Sequence, residues 1–111
     1  MKLIIAIVQD EDASRLLNKL MEAGFGVTKL ATTGGFLRAG NTTLLTGVDD
    51  EKIEDAMGII ENTCKGRMQA APVHAPMSGA PGGMYIPSVP VQVKVGGATV
   101  FVLDVEQFRK F

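Results

Sequence analysis

Hydrophobic positions follow two spacings along the chain, and these spacings predict its helices and strands. Residues 3–8 are a continuous apolar run, which is typical of a strand buried on both faces. Asp10, Glu11 and Asp12 follow, which suit the N-cap and first turn of a helix, and Gly24 suits the C′ position that ends it. The helix between them has its apolar side chains three and four positions apart, at Ala13, Leu16, Leu17, Leu20 and Met21.

The middle of the chain again shows hydrophobic patterns typical of strands and of an amphipathic helix. Residues 25–32 and 41–48 are predicted strands, separated by a glycine-rich turn at 33–40. The acids at 49–51 begin a second amphipathic helix, which Lys65-Gly66 ends. Its apolar stripe consists of Ile53, Ala56, Met57, Ile60 and Cys64.

The last part of the chain contains a long irregular segment and two predicted strands. Residues 66–88 hold four of the five prolines and one charge, Arg67, and show no helix or strand pattern. A loop of this length in a small domain is either a tolerated insertion or a functional lid. Residues 89–95 and 98–105 read as strands, and Gly96-Gly97 between them predicts a two-residue hairpin turn.

The predicted order is β-α-β-β-α-β-β in a single domain over residues 1–111. Its first six elements form the ferredoxin-like α+β pattern, and the hairpin adds one strand at the C-terminal end. Such a sheet carries helices on one face only. Because residues 3–8 and 100–103 are apolar at both parities, the other face also needs a cover. We therefore expect a closed homo-oligomer.

Composition narrows the function classes. A net charge of −1 argues against a broad electrostatic grip on a nucleic-acid polymer. One cysteine and one histidine exclude an internal disulfide framework and a His/Cys zinc cluster, so we expect no metal site. Cys64 is expected to be a buried thiol, and His74 a solvated side chain. The first apolar run is too short for a signal sequence or a membrane span, which predicts a cytoplasmic protein without membrane insertion.

Candidate chemistry is concentrated in residues 29–48. This stretch has four glycines and five threonines but no Asp, Glu, His or Cys, so it suits holding an anion better than acid–base catalysis. Residues 35–42 approach a Walker A loop, but Asn41 stands at the lysine position and the loop joins two strands. Phe36-Leu37 either fill the core or form an apolar slot for a planar ring, with the Asn41 amide bonding an adenine edge.

A family resemblance covers essentially the whole chain. The segment ATTGGFLRAGNTT, the opening MKLIIAIVQDED and the tail VGGATVFVL resemble the PII-like proteins that bind cyclic di-AMP. The resemblance implies a ferredoxin-like homotrimer with three ligands in clefts between neighbouring subunits. It also implies a receptor without catalytic activity or a cofactor other than its ligand, which signals to a downstream protein that the sequence does not identify.

The resemblance also implies which residues contact the ligand. Thr28 lies at a phosphate, Asn41 hydrogen-bonds an adenine that Gly47 lines through its main chain, and Phe101 lies along the cleft. The residues around that adenine are Gly35, Phe36 and Leu37. Residues 33–40 correspond to a short T-loop, and residues 66–88 to an enlarged B-loop that is mobile without ligand.

Two positions depart from the family pattern. Gly26 stands where relatives often carry an arginine that reaches a phosphate, with Val27 between it and Thr28 in the same predicted contact segment. Lys110 stands where relatives often carry glutamine, and it could restore part of the missing charge.

Three other functions have less support in the sequence. A PII-type sensor of ATP or another adenine nucleotide would need several basic residues, and only Lys29 and Arg38 lie near. A small ferredoxin-like oxygenase lacks support from any acid–base pair or cofactor motif. A structural trimer of the copper-tolerance type lacks its expected metal ligands.

Overall fold

The computed structural model describes residues 1–30, 40–72 and 90–111. In this part of the chain it contains two helices and six strands, with a short 3-10 turn at Asp50–Lys52 before the second helix. The elements are β1 (Lys2–Gln9), α1 (Asp10–Glu22), β2 (Val27–Leu30), β3 (Asn41–Val48), α2 (Ile53–Cys64), β4 (Arg67–Pro72), β5 (Pro90–Val95) and β6 (Ala98–Asp104).

The main sheet has the strand order β2-β3-β1-β6, and every neighbouring pair is antiparallel. At its centre Ile5 lies opposite Leu45 on β3 and opposite Phe101 on β6. An antiparallel sheet with two helices confirms the predicted α+β class and is compatible with a ferredoxin-like fold. The position beside β1 is taken by β6, the last strand of the chain.

The core lies between this sheet and the helices. Ile4, Ala6 and Val8 on alternate positions of β1 are buried, as are Leu16 of α1 and Ile60 of α2. The alternation follows from the strand period of two, which sends every second side chain to the helix side. Burial of these apolar side chains is the main stabilising contribution to the fold.

The end of α1 follows the predicted glycine signal. Gly24 adopts a φ of +91°, and its N–H donates to the carbonyl oxygen of Met21 at 3.0 Å. The N–H of Phe25 donates to the carbonyl oxygen of Leu20 at 3.0 Å. Glycine reaches this left-handed conformation without a Cβ penalty, so the helix ends here and the chain turns into β2.

The prediction for residues 66–72 was wrong. Arg67–Pro72 form β4, which pairs antiparallel with β5 in a separate two-stranded sheet, Arg67 opposite Val95. Alone, this segment has weak strand propensity, and the pairing with the valine-rich β5 decides its conformation. The additional hairpin is therefore inserted between α2 and β6 and does not extend the C-terminal end.

Gly96-Gly97 is not the predicted hairpin turn, because β5 and β6 belong to different sheets. Both glycines have positive φ, +83° and +99°. The N–H of Gly97 donates to the carbonyl oxygen of Cys64, and a Cβ on Gly96 would lie 2.7 Å from the carbonyl oxygen of Lys65. The two glycines let the chain pass close to the end of α2 while it changes sheets.

Several predictions fall outside the described residues. These include the contacts of Gly35, Phe36 and Leu37, the setting of His74, and the mobility of most of the long loop. In the described part of the chain, neither helix has the length and apolarity needed to cross a membrane.

Candidate functional site

The sheet face that carries no helix is mostly apolar. We call it the open face, and in register it contains Leu3, Ile5, Ile7, Thr28, Leu30, Asn41, Thr43, Leu45, Gly47, Thr99, Phe101 and Leu103. Phe101 is 52% exposed, Leu103 47% and Leu30 42%. The predicted apolar character of this face is therefore confirmed. An apolar surface of this extent is unusual on a monomer and typical of an interaction site.

Four of the predicted ligand residues lie on the open face. Thr28 of β2 is opposite Leu45 of β3, which is opposite Ile5 of β1, which is opposite Phe101 of β6. Directly opposed residues of an antiparallel pair project to the same side of the sheet. Asn41 and Gly47 occupy the same side, at even spacing from Leu45 on β3.

The structure does not bring these four residues together within one chain. Thr28 and Phe101 lie in one row but on the two outer strands, three inter-strand spacings or about 14 Å apart. Asn41 and Gly47 are six residues apart on one extended strand, about 20 Å. Within one chain, Gly47 and Asn41 are therefore too far apart to contact the same adenine. The residues around Gly47 form a first group, and those around Asn41 form a second.

The first group forms a corner around Gly26, Thr28 and Gly47. The hydroxyl of Thr46 donates to the carbonyl oxygen of Gly26 at 2.7 Å, which fixes the start of β2 against β3. A Cβ built on Gly26 would meet no heavy atom within 4 Å. Val27 packs against the core on the helix side, so only its main chain faces the corner. A larger side chain at position 26 would thus find open space.

The second group lies around Asn41, where the chain enters β3. The N–H of Asp10 donates to the carbonyl oxygen of Gly40 at 2.8 Å, and the hydroxyl of Thr42 donates to the Asp10 carboxylate. Gly40 has a φ of +98°, and Asn41 is half-buried between these two contacts. The first residue of α1 therefore holds the start of β3.

Comparison with known proteins decides the family. A family model described as cyclic-di-AMP receptor matches residues 1–111, the whole chain. The chain belongs to the cyclic-di-AMP receptor family. It is also similar to the crystal structure of a functionally unknown protein from Pediococcus pentosaceus, with 40% identity and a TM-score of 0.77 over 99% of this chain and 96% of that one. The resemblance inferred from the sequence motifs is thereby confirmed.

In this member of the receptor family, Lys110 lies on an exposed segment that follows β6. The N–H of Val105 donates to the carbonyl oxygen of Met1 at 3.2 Å, so the segment leaves the sheet where β1 begins. Because Lys2 lies opposite both Val48 and Asp104, this is the Gly47 end of the sheet. The segment that carries Lys110 thus starts at the Gly26 end of the sheet, but at the opposite edge.

A buried charge cluster escaped the sequence interpretation of this receptor-family chain. Asp12 is fully buried, and its carboxylate accepts from the Arg15 guanidinium at 3.0 Å and from two nitrogens of Arg67 at 2.9 Å and 3.3 Å. The hydrogen bond from Arg67 to Asp12 raises the pKa of the arginine. The helix dipole accounts for acids in the first turn of a helix, but it does not account for a buried carboxylate.

The sequence contains a pattern from which this charge cluster could have been predicted. Asp12 lies directly before Ala13 and four residues before Leu16, so it shares their buried helix face. A buried carboxylate needs a partner, and Arg67 is the single charged residue of the segment 66–88. The contact holds the start of β4, and with it the β4–β5 pair, against α1.

Cys64 is the buried thiol that was predicted. Burial raises its pKa to about 11, and the nearby Asp12 charge adds to the rise. The thiol therefore stays protonated at neutral pH and is a poor nucleophile.

A separate groove of about 610 Å³ lies between α2 and β6. It is lined by Glu54, Met57, Ile60, Glu61, Lys65, Gly66, Gly97, Ala98 and Val100. These residues lie on the helix side of the sheet, while the predicted ligand residues lie on the open face. Within the described residues, the groove and the candidate ligand site of the receptor are different places.

Proposed function

We propose that this chain is a cytoplasmic PII-like receptor that binds cyclic di-AMP in clefts between subunits of a homotrimer. It carries out no catalysis and passes the signal to another protein. The observation that carries the proposal is the placement of the predicted ligand residues on both edges of one apolar sheet face, in a chain of the cyclic-di-AMP receptor family.

The edge placement supports a site between subunits. Thr28 and Phe101 of one chain lie on opposite outer strands, about 14 Å apart, so they do not line one compact pocket. A contact between the β2 edge of one copy and the β6 edge of the next brings Thr28 close to Phe101 of the neighbour. Such head-to-tail contacts close into rings when the rotation permits, and a ring of three copies also covers the open face.

The residue types support holding a ligand without attacking it. The Thr28 hydroxyl and nearby main-chain N–H groups can donate to a phosphate, the Asn41 amide can both donate and accept at an adenine edge, and the Phe101 ring offers apolar area to a base. None of these side chains titrates near neutral pH, so they provide no acid–base pair. This chemistry suits a receptor.

A calorimetric titration with cyclic di-AMP, ATP and cyclic di-GMP tests the ligand. We expect about one cyclic di-AMP per chain and much weaker binding of the other two. Light scattering should give three chains per particle. Preference for ATP would replace the ligand assignment, and a stable monomer that binds one cyclic di-AMP would contradict the cleft between subunits.

A further inference from the structure

We propose that Asp10 is a positioning residue of the ligand site, which orients Asn41 by fixing the main chain on both sides of it. The proposal rests on the proposed function, since it assumes that Asn41 contacts an adenine. It assigns to the beginning of α1 a role that helix stability alone would not give it.

Two contacts of Asp10 bracket Asn41. Its N–H, which is free of intrahelical bonding at the helix start, donates to the carbonyl oxygen of Gly40 at 2.8 Å. Its carboxylate accepts from the hydroxyl of Thr42. One residue thus holds both neighbours of Asn41, one through its main chain and one through its side chain.

The two faces of β3 explain how this contact reaches the ligand. Thr42 points to the helix side and is only 4% exposed, while Asn41, the next residue along, points to the open face. Gly40 has a φ of +98° and therefore supplies little stiffness of its own. Without the Asp10 carboxylate, Thr42 loses this partner, so the strand end is held less firmly and part of the ordering of Asn41 takes place when the ligand binds.

Ordering a loose segment on binding lowers affinity, because its conformational entropy is lost at that moment. An amide that must donate and accept on one base edge is sensitive to orientation. We therefore expect the Asp10 contacts to appear as ligand affinity, and not only as folding stability.

The test measures cyclic di-AMP affinity of four single variants and one double variant of the full chain. Asp10→Ala should weaken binding about tenfold, while Asp10→Asn, which keeps an oxygen acceptor for Thr42, should recover most of the loss. Glu11→Ala is the matched control, because it also removes an exposed first-turn carboxylate. It should bind as the parent does. In an Asn41→Ala background, Asp10→Ala should cause little further weakening, since a positioning residue acts through the residue it positions.

Thr42→Val provides a second approach if Asp10→Ala fails to fold. It removes the hydroxyl at nearly constant volume and should weaken binding, while Thr42→Ser should not. The inference is overturned if Asp10→Ala or Thr42→Val binds like the parent, if Glu11→Ala weakens binding equally, or if the Asp10 effect is unchanged in the Asn41→Ala background. If the parent itself does not bind cyclic di-AMP, the proposed function fails and this inference falls with it.

Discussion

Replacing Asp12 by asparagine should lower the stability of the fold and loosen the β4–β5 hairpin in particular. The carboxylate is fully buried and accepts three hydrogen bonds from two guanidinium groups. Asparagine has nearly the same volume, so the substitution creates no cavity. It removes the charge, and its amide nitrogen must face one of the arginines as a second donor.

The size of the effect follows from these contacts. Hydrogen bonds to charged groups contribute about 1.5–3 kcal/mol each to stability. The arginine side chains are partly exposed, 52% for Arg15 and 34% for Arg67, so water can solvate them once the carboxylate is gone. The loss should therefore stay below the value for a fully buried pair. We expect Asp12→Asn to cost about 2 kcal/mol.

Urea denaturation measures the free energy of unfolding, with Glu11→Gln as the matched control. Glu11 is an exposed acid of the same helix turn, so its loss removes the favourable interaction with the helix dipole, about 0.3–1 kcal/mol, and a charge attraction to Arg67, but none of the hydrogen bonds to Asp12. Native-state hydrogen exchange gives the second readout. Amides of β4 and β5 should exchange faster in Asp12→Asn, while those paired between β1 and β3 should change less.

Two results would refute this reasoning. Equal destabilisation by Asp12→Asn and Glu11→Gln would mean that the buried cluster contributes no more than the helix dipole. Unchanged exchange in β4 and β5 would mean that the arginine contact does not hold the hairpin.

Three further predictions concern the site and the thiol. Gly26→Arg should tighten cyclic di-AMP binding by about 1–2 kcal/mol, because position 26 has open space for a side chain and a guanidinium can bind a phosphate. The gain should be smaller at high salt. Lys110→Ala should weaken binding by a smaller amount. If calorimetry gives Gly26→Arg the same affinity as the parent, the ligand phosphate does not lie beside position 26. Phe36→Ala and Asn41→Ala should each weaken binding by about 1–3 kcal/mol without dissociating the assembly, as titration and light scattering can show. Cys64 should react slowly with thiol reagents in the native state. Since its folded pKa is raised, the stability it contributes is present below about pH 9 and lost as pH rises towards 11, which a pH series of denaturation curves would reveal.

Local patterns in the sequence were sufficient for most of the fold. The 41–48 strand has the predicted bounds, and α1 ends at the predicted glycine, because both depend on local periodicity and on a backbone conformation that glycine adopts easily. The family also followed from the sequence, through its motifs. These features are set within a few residues of one another.

Tertiary structure decided the partners that are far apart in sequence. The stretch 67–72 becomes a strand because the distant 90–95 pairs with it, and Gly96-Gly97 changes from a predicted turn into a passage between two sheets. A short apolar alternation predicts a strand but does not say which other strand receives its hydrogen bonds.

The same distinction between local sequence and tertiary structure applies to the candidate ligand site. The sequence alone determined that residues such as Thr28 and Asn41 can bond a phosphate and a base, since donor and acceptor groups belong to the side chain itself. Only the folded sheet decided that Thr28 and Phe101 lie on opposite edges, that Asp10 reaches across to Thr42, and that Asp12 is buried against Arg67. Strand order and burial are properties of the whole chain, because each results from contacts between segments that local spacing does not connect.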